Sequence, residues 1–281
     1  MGLLGVDLGG TNVRVGLVEN DSLLKVESTP ISRTDDPMDV VNDISRLIEK
    51  FSGDGITGIG VGVPSVVDVE KGIVYDVQNI PSWKEVHLKD LLQEKFRVPV
   101  YVNNDANCFA VGEKYFGKGK NYENIVGLIV GTGLGAGLVI NGKLYAGRNC
   151  GAGEFGTIPF RERNYEYYCS GQFFTSEYKI TGEELSVKAR QGDRRAREIY
   201  AEFGFNLGEA IKLIMYSVDP EIIILGGSVS KSFDLYKKEL YVSLRDFAFT
   251  KSVANLLIEV SEVQNVAILG AAALYYDATV E

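Results

Sequence analysis

Two glycine-rich segments of the same design constrain this 281-residue chain more than any other feature. The first reads Val-Asp-Leu-Gly-Gly-Thr-Asn-Val-Arg-Val over residues 6–15, and the second reads Ile-Val-Gly-Thr-Gly-Leu-Gly-Ala-Gly-Leu-Val-Ile over residues 129–140. Each is an apolar run, a Gly/Thr turn and a second apolar run, which predicts a β-hairpin with few side chains at its tip. Because glycine lets the backbone approach a ligand, successive N–H groups there can converge on an anion. We therefore expect two related half-domains that bind one polyphosphate between them.

A plainer structural role fits each of these segments as well. Neither segment is a P-loop, since no Gly-Lys-Ser/Thr follows, and neither opens a helix as a dinucleotide fingerprint does. Either segment alone could equally be a simple tight turn. The presence of two such segments, with Asp7 at the end of the first apolar strand, favours phosphate binding.

Composition excludes several classes of protein. The net charge of −9 and the pI of about 4.9 argue against a nucleic acid partner. Three scattered cysteines, Cys108, Cys150 and Cys169, favour a reducing compartment over a disulfide framework. The single histidine, His87, provides no metal-ligand cluster of ordinary spacing. Since we find neither a basic leader nor an apolar run of membrane length, we expect a cytoplasmic protein with no membrane partner.

Helical and strand patterns alternate with short connections, which predicts an α/β fold with mixed sheets. The apolar periodicity predicts helices over 39–51, 88–96, a segment that ends at 116, 181–199, 203–216, 233–247 and 266–276. The second half of the chain repeats the plan of the first. We expect the last helix to return to the first domain.

Polar residues follow the apolar strand that ends at Val102. Residues 103–107 read Asn-Asn-Asp-Ala-Asn, and strand ends are the usual position of ligand-binding groups in open α/β sheets. A carboxylate at Asp105 could accept the proton of a hydroxyl that becomes a nucleophile in phosphoryl transfer. Alternatively, Asp105 could be the N-cap of the following helix, and the two roles can coexist.

Two further glycine-flanked turns could carry ligand contacts. Glu154 stands between glycines in residues 151–156, either in a plain loop or as an acceptor for sugar hydroxyls. Residues 225–230, Leu-Gly-Gly-Ser-Val-Ser, end an apolar strand. They form either a simple β–α turn or a surface for a nucleobase and its ribose.

Taken together, these motifs resemble the ROK sugar kinases, members of the actin–hexokinase–Hsp70 superfamily. The matching features are residues 7–12, 103–107, 131–137, 151–156, 225–227 and 270–272, which cover nearly the whole chain in the family's order. The resemblance implies a two-lobed, actin-like ATPase fold (ribonuclease H-like) with duplicated mixed-sheet domains and a central cleft. A small N-terminal domain would comprise residues 1–107 plus 263–281, and a large C-terminal domain residues 108–262.

The resemblance also implies roles for individual residues. Asp105 would be the catalytic base in transfer of the ATP γ-phosphate to a sugar, and Asp7 would position Mg²⁺, directly or through water. The sugar would be bound by Asn79, Asn104, Asp105, Glu154 and Glu177. ATP would be bound by Asp7, Gly9, Gly10, Thr11, Asn12, Thr132, Gly133, Gly226 and Gly227.

The chain departs from the family pattern after Glu154. Family members carry a zinc-binding His and a Cys-x-Cys-Gly-x-x-Gly-Cys-x-Glu run. Here Thr157 stands at the His position, which removes a contact near the anomeric end of the sugar. An alignment of Gly171 and Glu177 with that run puts Tyr168, Ser170 and Thr175 at the cysteine positions. We therefore expect no structural zinc, and Glu177 is a sugar ligand only in this register.

The segment 165–178 is rich in Tyr and Phe, and we expect these rings to stabilise the loop by packing. The alternative is that one of them stacks on the sugar.

The predicted activity is phosphorylation of a hexose by ATP, at the 6-OH of glucose or a related sugar. Alternatives are an N-acetyl amino-sugar, fructose or β-glucoside kinase, and a non-catalytic ROK sugar sensor. ROK repressors carry a helix-turn-helix domain before the kinase-like part, whereas this chain starts at the phosphate hairpin. The resemblance further implies a homodimer.

Overall fold

Strands and helices are interspersed along the described chain, as the sequence predicts, except that four helices follow one another without a strand between them over residues 165–218. The structure is a computed structural model that describes residues 2–51, 53, 55–148 and 150–279. Its strands are β1 (Gly2–Leu8), β2 (Asn12–Glu19), β3 (Ser22–Pro30), β4 (Ile56–Val63), β5 (Val66–Asp68), β6 (Ile73–Tyr75), β7 (Glu85–Val86), β8 (Val100–Asn104), β9 (Ile125–Val130), β10 (Leu134–Ile140), β11 (Lys143–Leu144), β12 (Pro159–Phe160), β13 (Arg163–Asn164), β14 (Ile222–Gly226) and β15 (Leu257–Val260). Its helices are α1 (Pro37–Glu49), α2 (Leu88–Phe96), α3 (Asp105–Phe116), α4 (Tyr165–Cys169), α5 (Gly171–Tyr178), α6 (Gly182–Arg190), α7 (Arg194–Val218), α8 (Phe233–Ser243), α9 (Thr250–Asn255) and α10 (Val266–Thr279). Among the described residues, no helix combines the length and the apolar character needed to cross a bilayer.

The chain divides into two compact units. The first comprises Met1–Asn121, Gly137–Ala152 and Val263–Glu281, and the second comprises Tyr122–Ala136 and Gly153–Glu262. The domain boundaries proposed from the sequence stay a prediction, because compactness alone does not show which segments fold as independent domains.

The first unit is built on a five-stranded sheet of order β3-β2-β1-β4-β8. Strands β1 and β2 form the antiparallel hairpin that the sequence predicts, while β1, β4 and β8 run parallel. Helix α10 packs against β1, β4 and α3, so the predicted return of the last helix to this part of the chain is confirmed. Buried side chains such as Trp83, Phe51 and Ile44 fill the space beneath the sheet.

A second sheet has the order β11-β10-β9-β14-β15, and β10 continues from the second unit into the first. In the second unit β9, β14 and β15 are parallel. Helices α7 and α8 pack together. The buried aromatic rings of this unit include Phe173, Phe174, Tyr200, Phe203 and Tyr236.

The helical predictions depart most from the structure over residues 181–216. The sequence pattern divides the region into helices over 181–199 and 203–216, but α6 ends at Arg190 and α7 runs without a break from Arg194 to Val218. The Asp193 carboxylate accepts a hydrogen bond of 2.8 Å from the Ala196 N–H, so Asp193 caps α7. This N-cap starts the helix earlier than the apolar periodicity indicates.

Candidate functional site

The first hairpin tip, residues 9–12, is closed by contacts within its own region of the chain. The Gly9 N–H donates to the Asn12 carbonyl oxygen at 2.9 Å, and the Thr11 carbonyl accepts from the Ile31 N–H at 3.0 Å. Within the part of the chain that the structure describes, the amides of Gly10 and Thr11 donate no hydrogen bond. These two N–H groups are therefore free to bind an anion.

A charge pair lies at the base of the first tip. Asp7 on β1 is the register partner of Arg14 on β2, and its Oδ2 accepts from Nε of Arg14 at 3.0 Å and from Nη2 at 2.6 Å. No three His, Cys, Asp or Glu side chains converge as a metal site among the described residues. A Mg²⁺ ion at Asp7 is compatible with this, because Mg²⁺ commonly binds through one or two carboxylates and otherwise through water and phosphate.

Strand register brings Asp7 and the Asn103–Asp105 turn to the same side of the first sheet, at the carboxyl ends of the parallel strands β1, β4 and β8. Asp7 lies opposite Gly62 on β4, and Gly62 lies opposite Asn103 on β8. Two strand spacings separate Asp7 from Asn103, which is about 10 Å. The Cys108 thiol lies next to Gly62, since a Cβ added there would be 3.1 Å from its Sγ. Burial raises the pKa of this thiol, and the negative charges of Asp105 and Asp7 raise it further.

The Asn103–Asn107 turn is held by its own side chains. Asn104, not Asp105, is the N-cap of α3, because its Oδ1 accepts from the Asn107 N–H at 3.0 Å. The alternative prediction for Asp105 is thus corrected: it is the first residue of the helix, its side chain is exposed, and its Oδ1 accepts from the Ala106 N–H at 2.8 Å. The buried Asn103 accepts from the Asn104 N–H and from Nδ2 of Asn107, both at 2.9 Å. These bonds fix the backbone that carries Asp105.

Asn79 lies directly against the first tip. A Cβ atom added to Gly10 would be 2.8 Å from Cβ and 3.0 Å from Nδ2 of Asn79. No side chain larger than that of glycine fits here without a shift. The structure therefore brings a predicted sugar ligand next to a predicted phosphate-binding residue.

The second hairpin tip, residues 131–134, borders a cavity in the second unit. Its Gly131 N–H donates to the Gly133 carbonyl at 3.0 Å, and the amides of Thr132 and Gly133 donate no hydrogen bond to any described residue. Gly226 ends β14, and Gly227 has φ of +84° at a point where a Cβ would overlap the Val130 carbonyl oxygen. The predicted ATP residues Thr132, Gly133, Gly226 and Gly227 are thus neighbours.

The cavity measures about 560 Å³ and is lined by Gly131, Thr132, Gly171, Gln172, Thr175, Thr181, Gly182, Glu183, Ser186, Arg190, Tyr200, Ser228, Val229, Lys231 and Ser232. Most of these residues come from α5, α6 and the turn after β14. Apart from Thr132 and the turn of residues 225–230, no sequence motif predicts them as ligand contacts. They carry no local signal, because polar residues on short helices have the same pattern as residues on any solvated face.

The two remaining predicted sugar ligands have different surroundings. Glu154 stands just before the 3₁₀ turn Phe155–Thr157 and is exposed. Loss of hydration, and then the charge of Glu166, raise the pKa of Glu154. The exposed Glu177 accepts a hydrogen bond of 2.7 Å from the Tyr167 hydroxyl. The sugar-binding role of Glu177 stays a prediction, and Glu166 is a carboxylate that the sequence motifs did not mark.

The aromatic segment packs, as predicted, rather than presenting all its rings to a ligand. Tyr168, Phe173 and Phe174 are buried, and the ring of Tyr165 stacks on Phe160 at 4.4 Å between centroids. Burial of these rings anchors α4 and α5 in the second unit.

Comparison with known proteins gives a consistent result. A sequence model of the ROK family matches residues 3–278. A glucokinase of Thermotoga maritima is 32% identical over 97% of this chain and 96% of its own length, and a xylose repressor of Caldicellulosiruptor bescii is 29% identical over 95% and 76%. The crystal structure of a Streptomyces griseus ROK glucokinase with glucose and AMPPNP aligns with a TM-score of 0.80 at 26% identity, over 98% of this chain and 99% of that one. This likeness confirms the predicted α/β, actin-like fold class.

Proposed function

Since the chain belongs to the ROK family, we propose that it is an ATP-dependent sugar kinase. The single observation that carries the proposal lies in the first unit. The register Asp7–Gly62–Asn103 sets the first hairpin tip and the Asp105 turn at one sheet edge, and Asn79 packs against Gly10 of that tip. A phosphate held by the tip and a hydroxyl held by Asn79 and Asn104 would then be neighbours.

In this proposal Asp105 accepts the proton of the attacking sugar hydroxyl. The loose transition state of phosphoryl transfer asks little of the base, so positioning matters more than a shifted pKa. The exposed carboxylate of Asp105, fixed on the first turn of α3 by the Asn103–Asn107 bonds, meets this requirement. Asn104 and Asn79 would orient the sugar, and Glu154 would accept hydrogen bonds from ring hydroxyls.

The phosphates and the nucleoside would be bound by the two hairpin tips and by the cavity. The unpaired amides of Gly10, Thr11, Thr132 and Gly133 would donate to phosphate oxygens. The adenosine would occupy the 560 Å³ cavity next to Gly226 and Gly227, a volume within the usual range for ligand pockets. Mg²⁺, held by Asp7 together with water and phosphate, would neutralise charge on the transferred group.

The substrate is proposed to be a hexose phosphorylated at its 6-OH, glucose or a related sugar. An N-acetyl amino-sugar, fructose or a β-glucoside are the alternatives, since relatives include an N-acetyl-D-glucosamine kinase of Vibrio cholerae as well as glucokinases. We propose that the protein acts in the cytoplasm as a homodimer.

The test is ADP release in a coupled assay with ATP, Mg²⁺ and a panel of glucose, N-acetylglucosamine, N-acetylmannosamine, fructose and a β-glucoside. We expect sugar-dependent turnover with at least one of them. Asp105→Asn should lower kcat by roughly 10²–10⁴-fold, the usual contribution of a general base, with sugar binding largely retained.

The matched control is Asp90→Asn, since Asp90 is exposed on α2, away from the turn. It should turn over like the wild type. Normal kcat in Asp105→Asn would remove Asp105 from the role of base. Sugar binding without turnover by the wild type would instead indicate a sensor, the function that the repressor relatives make the main alternative.

A further inference from the structure

The second tip is held by a separate segment of its own unit, residues 166–172. The Gly171 N–H donates to the Gly131 carbonyl at 2.7 Å, and the hydroxyl of Ser170 donates to the Thr132 carbonyl at 3.0 Å. Ser170 is fully buried. This segment therefore holds two carbonyl groups of the tip, while the amides of Thr132 and Gly133 donate no hydrogen bond to any described residue.

Glu166 makes the one contact between this segment and the second tip that the described residues show for a charged side chain. Its Oε2 accepts from the Leu134 N–H at 3.1 Å, and its Oε1 accepts from Nε2 of Gln172 at 3.1 Å. A Cβ added to Gly133 would lie 2.5 Å from the same Oε2. Both carboxylate oxygens are therefore fixed, one of them against the tip itself.

The same carboxylate acts on Glu154. Its negative charge adds to the loss of hydration that raises the pKa of Glu154. The turn that follows Glu154 also packs here, since a Cβ added to Gly156 would lie 3.4 Å from Cβ of Glu166 and from Cβ of Leu134. Glu166 thus contacts the second tip and repels the proposed sugar-binding carboxylate.

We propose that Glu166 is a positioning residue that couples sugar binding at Glu154 to phosphate binding at the second hairpin tip. The inference rests on the proposed sugar kinase function. Two neighbouring carboxylates repel each other, and a sugar hydroxyl that donates to Glu154 reduces that repulsion. Sugar binding then stabilises Glu166 on the Leu134 amide and keeps the tip in the arrangement that presents Thr132 and Gly133. By linkage, nucleotide bound at the tip tightens the binding of sugar by the same factor.

The experiment measures the dissociation constant of AMPPNP by calorimetry, once without sugar and once with a saturating concentration of a hexose. The hexose is the one in the panel with the highest kcat/KM. The coupling ratio is the dissociation constant without sugar divided by the dissociation constant with sugar. In the wild type the sugar should tighten AMPPNP binding by about fivefold or more, the lower end of ordinary coupling. Glu166→Gln keeps an acceptor for the Leu134 N–H but loses the charge. In this variant the sugar should change the dissociation constant of AMPPNP by less than about twofold. Glu166→Ala also loses the acceptor, and should in addition weaken AMPPNP binding when no sugar is present.

Glu162→Gln is the matched control, because Glu162 is exposed in the same region of the chain; its ratio should equal that of the wild type. Gln172→Ala removes the bond to Oε1 without changing Glu166, and should lower the ratio partly, so the inference can still be tested if a Glu166 variant does not fold. An unchanged ratio in Glu166→Gln, or no coupling in a wild type that turns over sugar, would overturn the inference. Absence of turnover with every sugar would overturn the proposed function instead.

Discussion

The two hairpin tips have the same sequence design but are held in place by different means. The first tip is closed by residues near it in sequence, Gly9 to Asn12 and Thr11 to Ile31, and its charged group, Asp7, is on the strand that leads into it. The second tip depends on Ser170, Gly171 and Glu166, more than thirty residues further along the chain. One local pattern can therefore be completed either locally or by tertiary contacts. The four predictions below test this difference.

The largest effect is expected at the charge of the first tip. Asp7→Asn should lower kcat by roughly 10²–10³-fold, the size of effect found when one electrostatic contact to a transition state is removed. Thr132→Ala at the second tip should have a clearly smaller effect, since it removes an uncharged hydroxyl and leaves the amides. Steady-state kinetics with ATP and the best hexose measures both. Equal losses of kcat in Asp7→Asn and Thr132→Ala would contradict the proposal that only the first tip acts through a charged side chain.

The next prediction compares glycines of the two tips. Gly10→Ala should raise the KM for the sugar by about fivefold, because the new Cβ would displace Asn79, and one lost hydrogen bond is worth about 1 kcal/mol. Gly131→Ala should leave the sugar KM unchanged, since nothing lies within 4 Å of its Cβ position. Both KM values come from the same assay. If Gly10→Ala leaves the KM for the sugar unchanged, Asn79 does not bind the sugar.

A third prediction concerns stability without ligands. Ser170→Ala should lower the free energy of unfolding by about 1–2 kcal/mol, because Ser170 caps α5 through the Gln172 N–H and donates to the Thr132 carbonyl. Thr11→Ala at the exposed first tip should change it by less than about 0.5 kcal/mol. Urea unfolding provides the measurement. If the two variants are equally stable, the second tip does not depend on the 166–172 segment.

The smallest effect is a pH dependence at Glu154, whose following turn packs against Leu134 of the second tip. The pKa of Glu154 is raised in the folded protein. Its favourable contribution to the free energy of unfolding is therefore complete at acid pH, and it is lost as the pH rises through the pKa that Glu154 has in the folded state. Glu154→Gln should therefore be slightly more stable than the wild type at neutral pH, by less than about 1 kcal/mol for a solvent-accessible group. The difference should vanish below the ordinary pKa of glutamate and shrink in a Glu166→Gln background. Thermal unfolding over a pH series would show it, and a constant difference would refute it.

Much of the first unit could be predicted from the sequence because its signals are local. The hairpin β1–β2, helix α2 over Leu88–Phe96 and the polar run after β8 follow from periodicity and turn residues within a few positions. The start of α7 could not be predicted in this way, because one side chain, Asp193, overrides the apolar pattern. Glu166 could not be distinguished from Glu177 either, since both stand among the same aromatic residues.

By itself the sequence determined the two glycine-rich tips, the carboxylate at a strand end and the order of elements of its family, and from these features we predict phosphate binding. Tertiary structure alone decided which helices line the cavity next to the second tip, and which glutamate binds the Leu134 amide. The physical reason is the distance along the chain over which each interaction acts. Backbone preferences and turn residues act over a few positions, whereas a hydrogen bond between residues 134 and 166 exists only after burial of the aromatic rings of residues 165–178 has anchored α4 and α5 in the second unit.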